Sequence, residues 1–162
     1  GDPAVTTIRT KKGVVISLRL DWVSSRPHNM VHYGLQGTNG AYLAARHDKE
    51  QPLVWLEGRS PGSSLGLPGQ PHAEWEPLWK YADEFEHPLW KRQGDEAEKS
   101  GHGGGDYFVI EEFVRSIHEG RRPAIDVYDA VTWSSVFPLS VQSVENGSRT
   151  VPFPDFRRKA KA

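Results

Sequence analysis

Val15-Ile16-Ser17-Leu18-Arg19-Leu20-Asp21-Trp22 decides the fold class. Ile16, Leu18, Leu20 and Trp22 hold alternate positions, with Val15, Ser17, Arg19 and Asp21 between them. Side chains alternate across a strand, so the first set lines one face and the second the other. Strict alternation of this kind marks an antiparallel sheet with one buried face. Upstream, Lys11-Lys12-Gly13 is a turn returning from a strand over 5–10. Downstream, a strand over 30–36 runs into Gly37-Thr38-Asn39-Gly40, whose Asn-Gly pair is a hairpin signal. The returning strand is expected over 41–45, and another over 52–57.

The period then changes. Residues 58–71 are rich in Gly, Pro and Ser and read as a surface loop. Trp75, Leu78, Trp79 and Ala82 have helical spacing in a segment over 74–93, which Pro88 interrupts. A better-defined helix is expected over 106–119. Ile110, Phe113, Val114 and Ile117 share one face; Glu111, Glu112, Arg115 and Glu119 point mostly outward; Gly120 is the stop. Asp126 is a good N-cap for the next helix, which carries Ala130, Val131, Trp133 and Phe137, is kinked by Pro138 and ends at Asn146-Gly147. A short final strand is expected over 149–153. The fold class is therefore α+β: a mostly antiparallel open sheet with helices packed on one face, in one domain over 1–162.

Bulk properties exclude several classes of function. The 162 residues suffice for one domain with a core. Formal net charge is -1, with 20 basic and 21 acidic residues, which gives no electrostatic case for nucleic acid or an anionic membrane. There are no cysteines, so disulfides, thiolate metal sites and cysteine nucleophiles are absent, while the compartment stays open. No apolar run approaches the ~20 residues of a membrane span. The start at Gly1-Asp2-Pro3 without methionine is expected of a processed or excised piece. Glu84 and His87 have a Glu-x-x-His spacing without a second copy, so no metal is expected.

The chemistry concentrates in Gly101-His102-Gly103-Gly104-Gly105-Asp106-Tyr107. Glycines there permit positive φ and close approach to a ligand. The first turn of the helix that follows presents unpaired N–H groups. A histidine can donate or accept at neutral pH, and an aspartate beside it can orient it or bind a hydroxyl. His102, Asp106 and Tyr107 are therefore the candidate substrate-binding residues, for a polar ligand such as a sugar. The same residues also read as a glycine-rich loop fixed by His102, a cap from Asp106 and a packed Tyr107. His87 and Trp90 flank Pro88 and suit a pocket wall, although Trp90 also suits a core. Asp126, Tyr128 and Asp129 are accounted for by helix capping and the helix dipole. No Gly-x-Gly-x-x-Gly and no alternating strand–helix unit occur, so a dinucleotide finds no pyrophosphate cradle in this chain, and no cofactor is expected in it.

In order along the chain stand His87-Pro88-Leu89-Trp90, the Gly-His-Gly-Gly-x-Asp-Tyr run, Asp126-Val127-Tyr128-Asp129-Ala130, Trp133-Ser134, Pro138-Leu139-Ser140 and Pro154-Asp155-Phe156. This set resembles the C-terminal part of the Gfo/Idh/MocA proteins, and within them the family 109 glycoside hydrolases, NAD-dependent α-N-acetylgalactosaminidases. The resemblance implies a bacterial parent with an N-terminal Rossmann domain that holds NAD. It further implies a carbohydrate substrate, transient oxidation at C3, elimination of the aglycone, water addition and re-reduction. It also implies a homo-oligomer formed through the open sheet. The glycosidase branch's Tyr-Pro-Thr-His and the dehydrogenases' Glu-Lys-Pro are both missing here. Two alternatives stay open: the C-terminal domain of a sugar or polyol dehydrogenase that releases NADH, and a non-catalytic carbohydrate-binding or assembly module. Alone, the chain is expected to be inactive.

Overall fold

The computed structural model describes residues 4–157 apart from 22, 26, 28–31 and 64. The chain is α+β, with antiparallel sheets and helices, and it divides into two compact units. One is continuous, Ser24–Gln93; the other joins Gly1–Val23 to Gly94–Ala162. The strands expected in one sheet fall into two: a pair, β1–β2, and a four-stranded sheet in the order β3-β4-β5-β6.

In the discontinuous unit, β1 (Ala4–Arg9) pairs antiparallel with β2 (Val15–Leu20). Gly13, at φ 86°, makes the turn between them, as the Lys-Lys-Gly reading requires. Register sets Thr6 opposite Leu18 and Ile8 opposite Ile16, so the apolar residues share one face as expected. Ile16, Leu18 and Leu20 are nevertheless exposed, and the expected burial of that face is not found, because a two-stranded pair offers only a narrow surface to cover. That face meets a helix: Thr6 Oγ1 donates to Ser140 Oγ at 2.9 Å. Val5, Val15, Ser17 and Arg19 occupy the other face and are exposed. Asp21 does not share their exposure; only 4% of its side chain is accessible, and it accepts from Arg19 at 3.3 Å. Trp22 lies outside the described residues.

The helices of this unit are α3 (Gly105–His118), α4 (Val127–Ser134) and α5 (Val136–Glu145). Asp126 caps α4 as expected, accepting from Tyr128 N at 2.8 Å and Asp129 N at 2.9 Å, while Asp129 reciprocates to Asp126 N. The break between α4 and α5 falls at Ser135 rather than at Pro138. A proline ring collides with the carbonyl four residues back, here Ser134, the last residue of α4. Pro138 itself then stands in the first turn of α5, where an N–H has no intrahelical acceptor to lose. No strand forms over 149–153. Pro152 and Pro154 each lack the N–H a ladder needs.

On α3 the expected orientation is inverted. Val109, Ile110, Phe113, Val114 and Ile117 are all more than half exposed, whereas Ser116 is buried and Glu112 half-buried. Glu112 is drawn inward by Arg121, which donates to both its oxygens at 2.7 and 2.8 Å, and by Ala124 N at 2.9 Å. Trp133, Phe137 and Val144 on α4 and α5 are exposed as well.

In the continuous unit, β3 (Gly34–Gln36) and β4 (Gly40–Leu43) form the Asn-Gly hairpin, followed by β5 (Leu53–Leu56) and β6 (Glu76–Pro77). Met30 and Val31, at the expected start of β3, lie outside the described residues. The segment read as one helix over 74–93 is instead β6, a 3-10 turn over Leu78–Tyr81, α1 (Ala82–Phe85) and α2 (Pro88–Ala97). Pro88 opens α2 rather than interrupting it, the position where its fixed φ and missing N–H cost nothing. The core here is small, with Ala41, Val54 and Tyr81 buried. Glu76 is buried among donors: Tyr81 Oη at 2.6 Å, Lys80 Nζ and the Ser60 hydroxyl. Arg59 stacks over Tyr81 and pairs with both oxygens of Glu84 at 2.9 and 2.8 Å.

Candidate functional site

The Gly101–Tyr107 loop folds into a tight reversal at the start of α3. His102, Gly103 and Gly104 have φ of 53°, 61° and 90°, three successive residues in the left-handed region. For histidine this conformation is uncommon and costs on the order of 1–3 kcal/mol. A contact repays it. His102 Nδ1 lies 3.0 Å from both Oδ1 and Oδ2 of Asp106, one helical turn on. Gly101 makes room for that pair, because a Cβ on it would stand 2.4 Å from Asp106 Oδ2.

The geometry brings His102 and Asp106 together as predicted and leaves them open, with side chains 78% and 55% exposed. A carboxylate on Nδ1 selects the tautomer with hydrogen there, so Nε2 faces solvent as an acceptor that becomes a donor on protonation. Such a nitrogen can bind a hydroxyl or relay its proton. Tyr107 is placed differently. Its N–H donates to Ser100 Oγ at 3.3 Å, and its ring packs edge-on to Phe108 with centroids 5.5 Å apart. Ser100, which accepts from the Tyr107 N–H, was not singled out from the sequence, and the Gly-x-x-x-x-Asp spacing is the signal that gives Gly101 its particular role.

The remaining candidates have structural duties. His87 Nδ1 accepts from Leu89 N at 3.2 Å at the start of α2, and Trp90 is half-buried. The carboxylates of Asp126 and Asp129 face Arg122 and Arg157 as well as the α4 amides. Glu84 is engaged by Arg59. Among the described residues no three His, Asp or Glu side chains converge as a metal ion would require. No helix of the described residues is long and apolar enough to cross a membrane.

A dinucleotide does not fit the residues present. Its pyrophosphate needs a glycine turn between a parallel strand and a helix, and the described strands pair only as antiparallel ladders. The glycine-rich helix start is that of α3, where the Asp106 carboxylate occupies the first turn and would repel a phosphate.

An α+β domain without a dinucleotide fold, bearing an exposed His–Asp pair on a glycine loop, is thus the class of molecule defined here. The chain belongs to the glycosyl hydrolase 109 family as its C-terminal domain, whose family model matches residues 1–161. It is 43% identical over 156 residues to a glycosyl hydrolase family 109 protein of Stenotrophomonas maltophilia, covering 96% of this chain and 31% of that protein. It is 37% identical over 159 residues to one of Solibacter usitatus, covering 98% and 32%. For one of Shewanella putrefaciens the figures are 38% over 162 residues, 99% and 32%. The chain therefore spans about a third of the length of these relatives. No solved structure matches it.

Proposed function

We propose that this chain is the substrate-covering and oligomerisation domain of an NAD-dependent glycosidase. The observation that carries the reading is the His102–Asp106 pair, oriented at 3.0 Å on a strained loop and presenting Nε2 outward. Strain at an exposed loop persists where function requires it. The sugar-facing role falls to His102 as a hydrogen-bond or proton partner and to Asp106 as its positioning residue, with Tyr107 beside them at the start of α3. NAD would be held by an N-terminal Rossmann domain of the same protein, which supplies redox chemistry that this chain's residues do not.

Two further observations support the domain role. The apolar faces of α3, α4 and α5 are uncovered, as expected where the other two-thirds of a protein of the relatives' length would pack. The outer face of β1–β2 carries Val5, Val15, Ser17 and Arg19 in one flat, mixed surface, suited to a two-fold interface with a copy of itself.

Replacement of His102 by alanine in the intact protein tests the reading. Turnover of an α-N-acetylgalactosaminide should fall while the melting temperature holds. Unchanged turnover with a lowered melting temperature would make His102 a structural residue. Stoichiometric release of NADH during turnover would identify a dehydrogenase instead.

A further inference from the structure

We propose that the face of the four-stranded sheet bearing Gln36, Ala41, Trp55 and Trp75 binds one pyranose ring of a carbohydrate, a class of ligand that rests on the glycosidase reading above. Gln36 stands opposite Ala41, and Ala41 opposite Trp55. Val54 stands opposite Glu76, so one further antiparallel step sets Trp75 beside Trp55. Residues directly opposite share a face. An amide, a methyl group and two indoles thus lie in a row across the sheet. Ala41 is buried at 7% exposure and forms a floor between two much larger neighbours. The result is an open groove of about 200 Å³, lined by these four residues with Ala73 and Glu74.

The chemistry of the lining selects the ligand. A pyranose has an apolar C–H face and a rim of hydroxyls. Indole rings offer broad, rigid apolar surface to the first. Gln36 and Glu74 serve the second. Gln36 Nε2 donates to the Gly37 carbonyl at 3.2 Å, which steadies the amide and leaves Oε1 as an acceptor. Glu74 is tethered through its backbone N–H, which donates to the Pro61 carbonyl at 3.1 Å, while its carboxylate has no partner among the described residues. A carboxylate accepts from two neighbouring hydroxyls at once. The groove is smaller than the ~300–1,000 Å³ of enclosed ligand sites, so it suits one ring. Both indoles line the same open groove, which favours a flat ring over a caged ammonium ion.

The test is 19F NMR of the intact protein labelled with 5-fluorotryptophan, the Trp55 and Trp75 signals being assigned by Trp55→Phe and Trp75→Phe. Titration with N-acetylgalactosamine should shift both signals saturably, with a dissociation constant in the millimolar range. Glu74→Gln should weaken binding by about tenfold, and Trp55→Ala should abolish it with the far-UV spectrum unchanged. His102→Ala should leave the titration unaltered, whatever it does to turnover, so that failure of this proposal and failure of the glycosidase reading separate. Absence of a saturable shift overturns the proposal. So does a shift insensitive to Glu74→Gln, a shift lost in His102→Ala, or saturation by choline in place of the sugar.

Discussion

Gly101 and Asp106 are packed so closely that one added methyl group would reach within 2.4 Å of the carboxylate. The carboxylate in question is the one that holds His102. Gly101→Ala should therefore push Asp106 away and release the imidazole without touching it. The expected outcome is a loss of turnover in the intact protein approaching that of His102→Ala, with secondary structure retained. Wild-type turnover in Gly101→Ala would show that the Asp106 contact does not position His102.

His102 also separates activity from stability in an unusual direction. Its φ of 53° favours glycine over any side chain. His102→Gly should relieve backbone strain, so the melting temperature should hold or rise slightly. Turnover should still fall by about 10²–10⁴-fold, the loss typical of one positioned acid–base or hydrogen-bonding group. Parallel losses of activity and melting temperature in His102→Gly would count against the reading.

Glu112 and Glu76 are among the carboxylates that set the acid limit. Arg121, then the Ala124 N–H, hold Glu112 at about 2. Lys80, then Tyr81 and Ser60, hold Glu76 at about 2. An unfolded glutamate titrates near ~4.3, so both groups bind protons more weakly folded than unfolded. Their stabilisation is present above ~4.3 and is lost as pH falls through that value toward about 2. Melting temperatures measured across that window should drop more steeply in the wild type than in Glu112→Gln. Equal slopes would show that the Arg121 clamp does not contribute.

Arg19 tests the outer face of the β1–β2 pair. Arg19→Glu breaks the contact with Asp21 and reverses a charge on the face proposed above as a two-fold interface, which should disturb its packing against a copy. Light scattering on the intact protein should report a smaller assembly. An unchanged mass would leave that face solvated.

The chain by itself should show no saturable heat on calorimetric titration with NAD. The reason is electrostatic: the first turn of α3 carries the Asp106 carboxylate, which would repel a phosphate there. Micromolar binding would require a cradle of a kind not described above.

Much of this was legible in the sequence, and the failures share a cause. The hairpins, the Asp126 cap and α3 follow from alternation, Asn-Gly and spacing, all of which are local. The His102–Asp106 pair is local too, one helical turn apart. What misled was non-local. Ile110, Phe113 and Ile117 read as a core face, yet Glu112 took the inner side because Arg121 and Ala124 fold back on it. Trp75 had helical spacing to Leu78 and Trp79, but pairing with β5 pulled Glu76 into a strand. The row of Gln36, Ala41 and Trp55 exists only once register is known. Pro138 announced a break correctly and misplaced it, since its clash acts four residues upstream.

Thr6 and Ser140 are bonded across 134 residues of sequence, and the whole of Ser24–Gln93 lies between them in the chain. This has a kinetic consequence. During synthesis the hairpin of residues 4–20 is made before the Ser24–Gln93 segment and cannot meet α5 until that segment and the intervening helices are made. The Ser24–Gln93 segment forms a compact unit, with the β3–β6 ladder inside it, and can collapse while the later helices are still untranslated. Its collapse shortens the effective loop that the Thr6–Ser140 contact must close, and the entropy of closure grows with the logarithm of that length. Folding should therefore show two phases, the slower one reporting on the hairpin. Mutations in β3–β6 should slow it although they lie in the other unit.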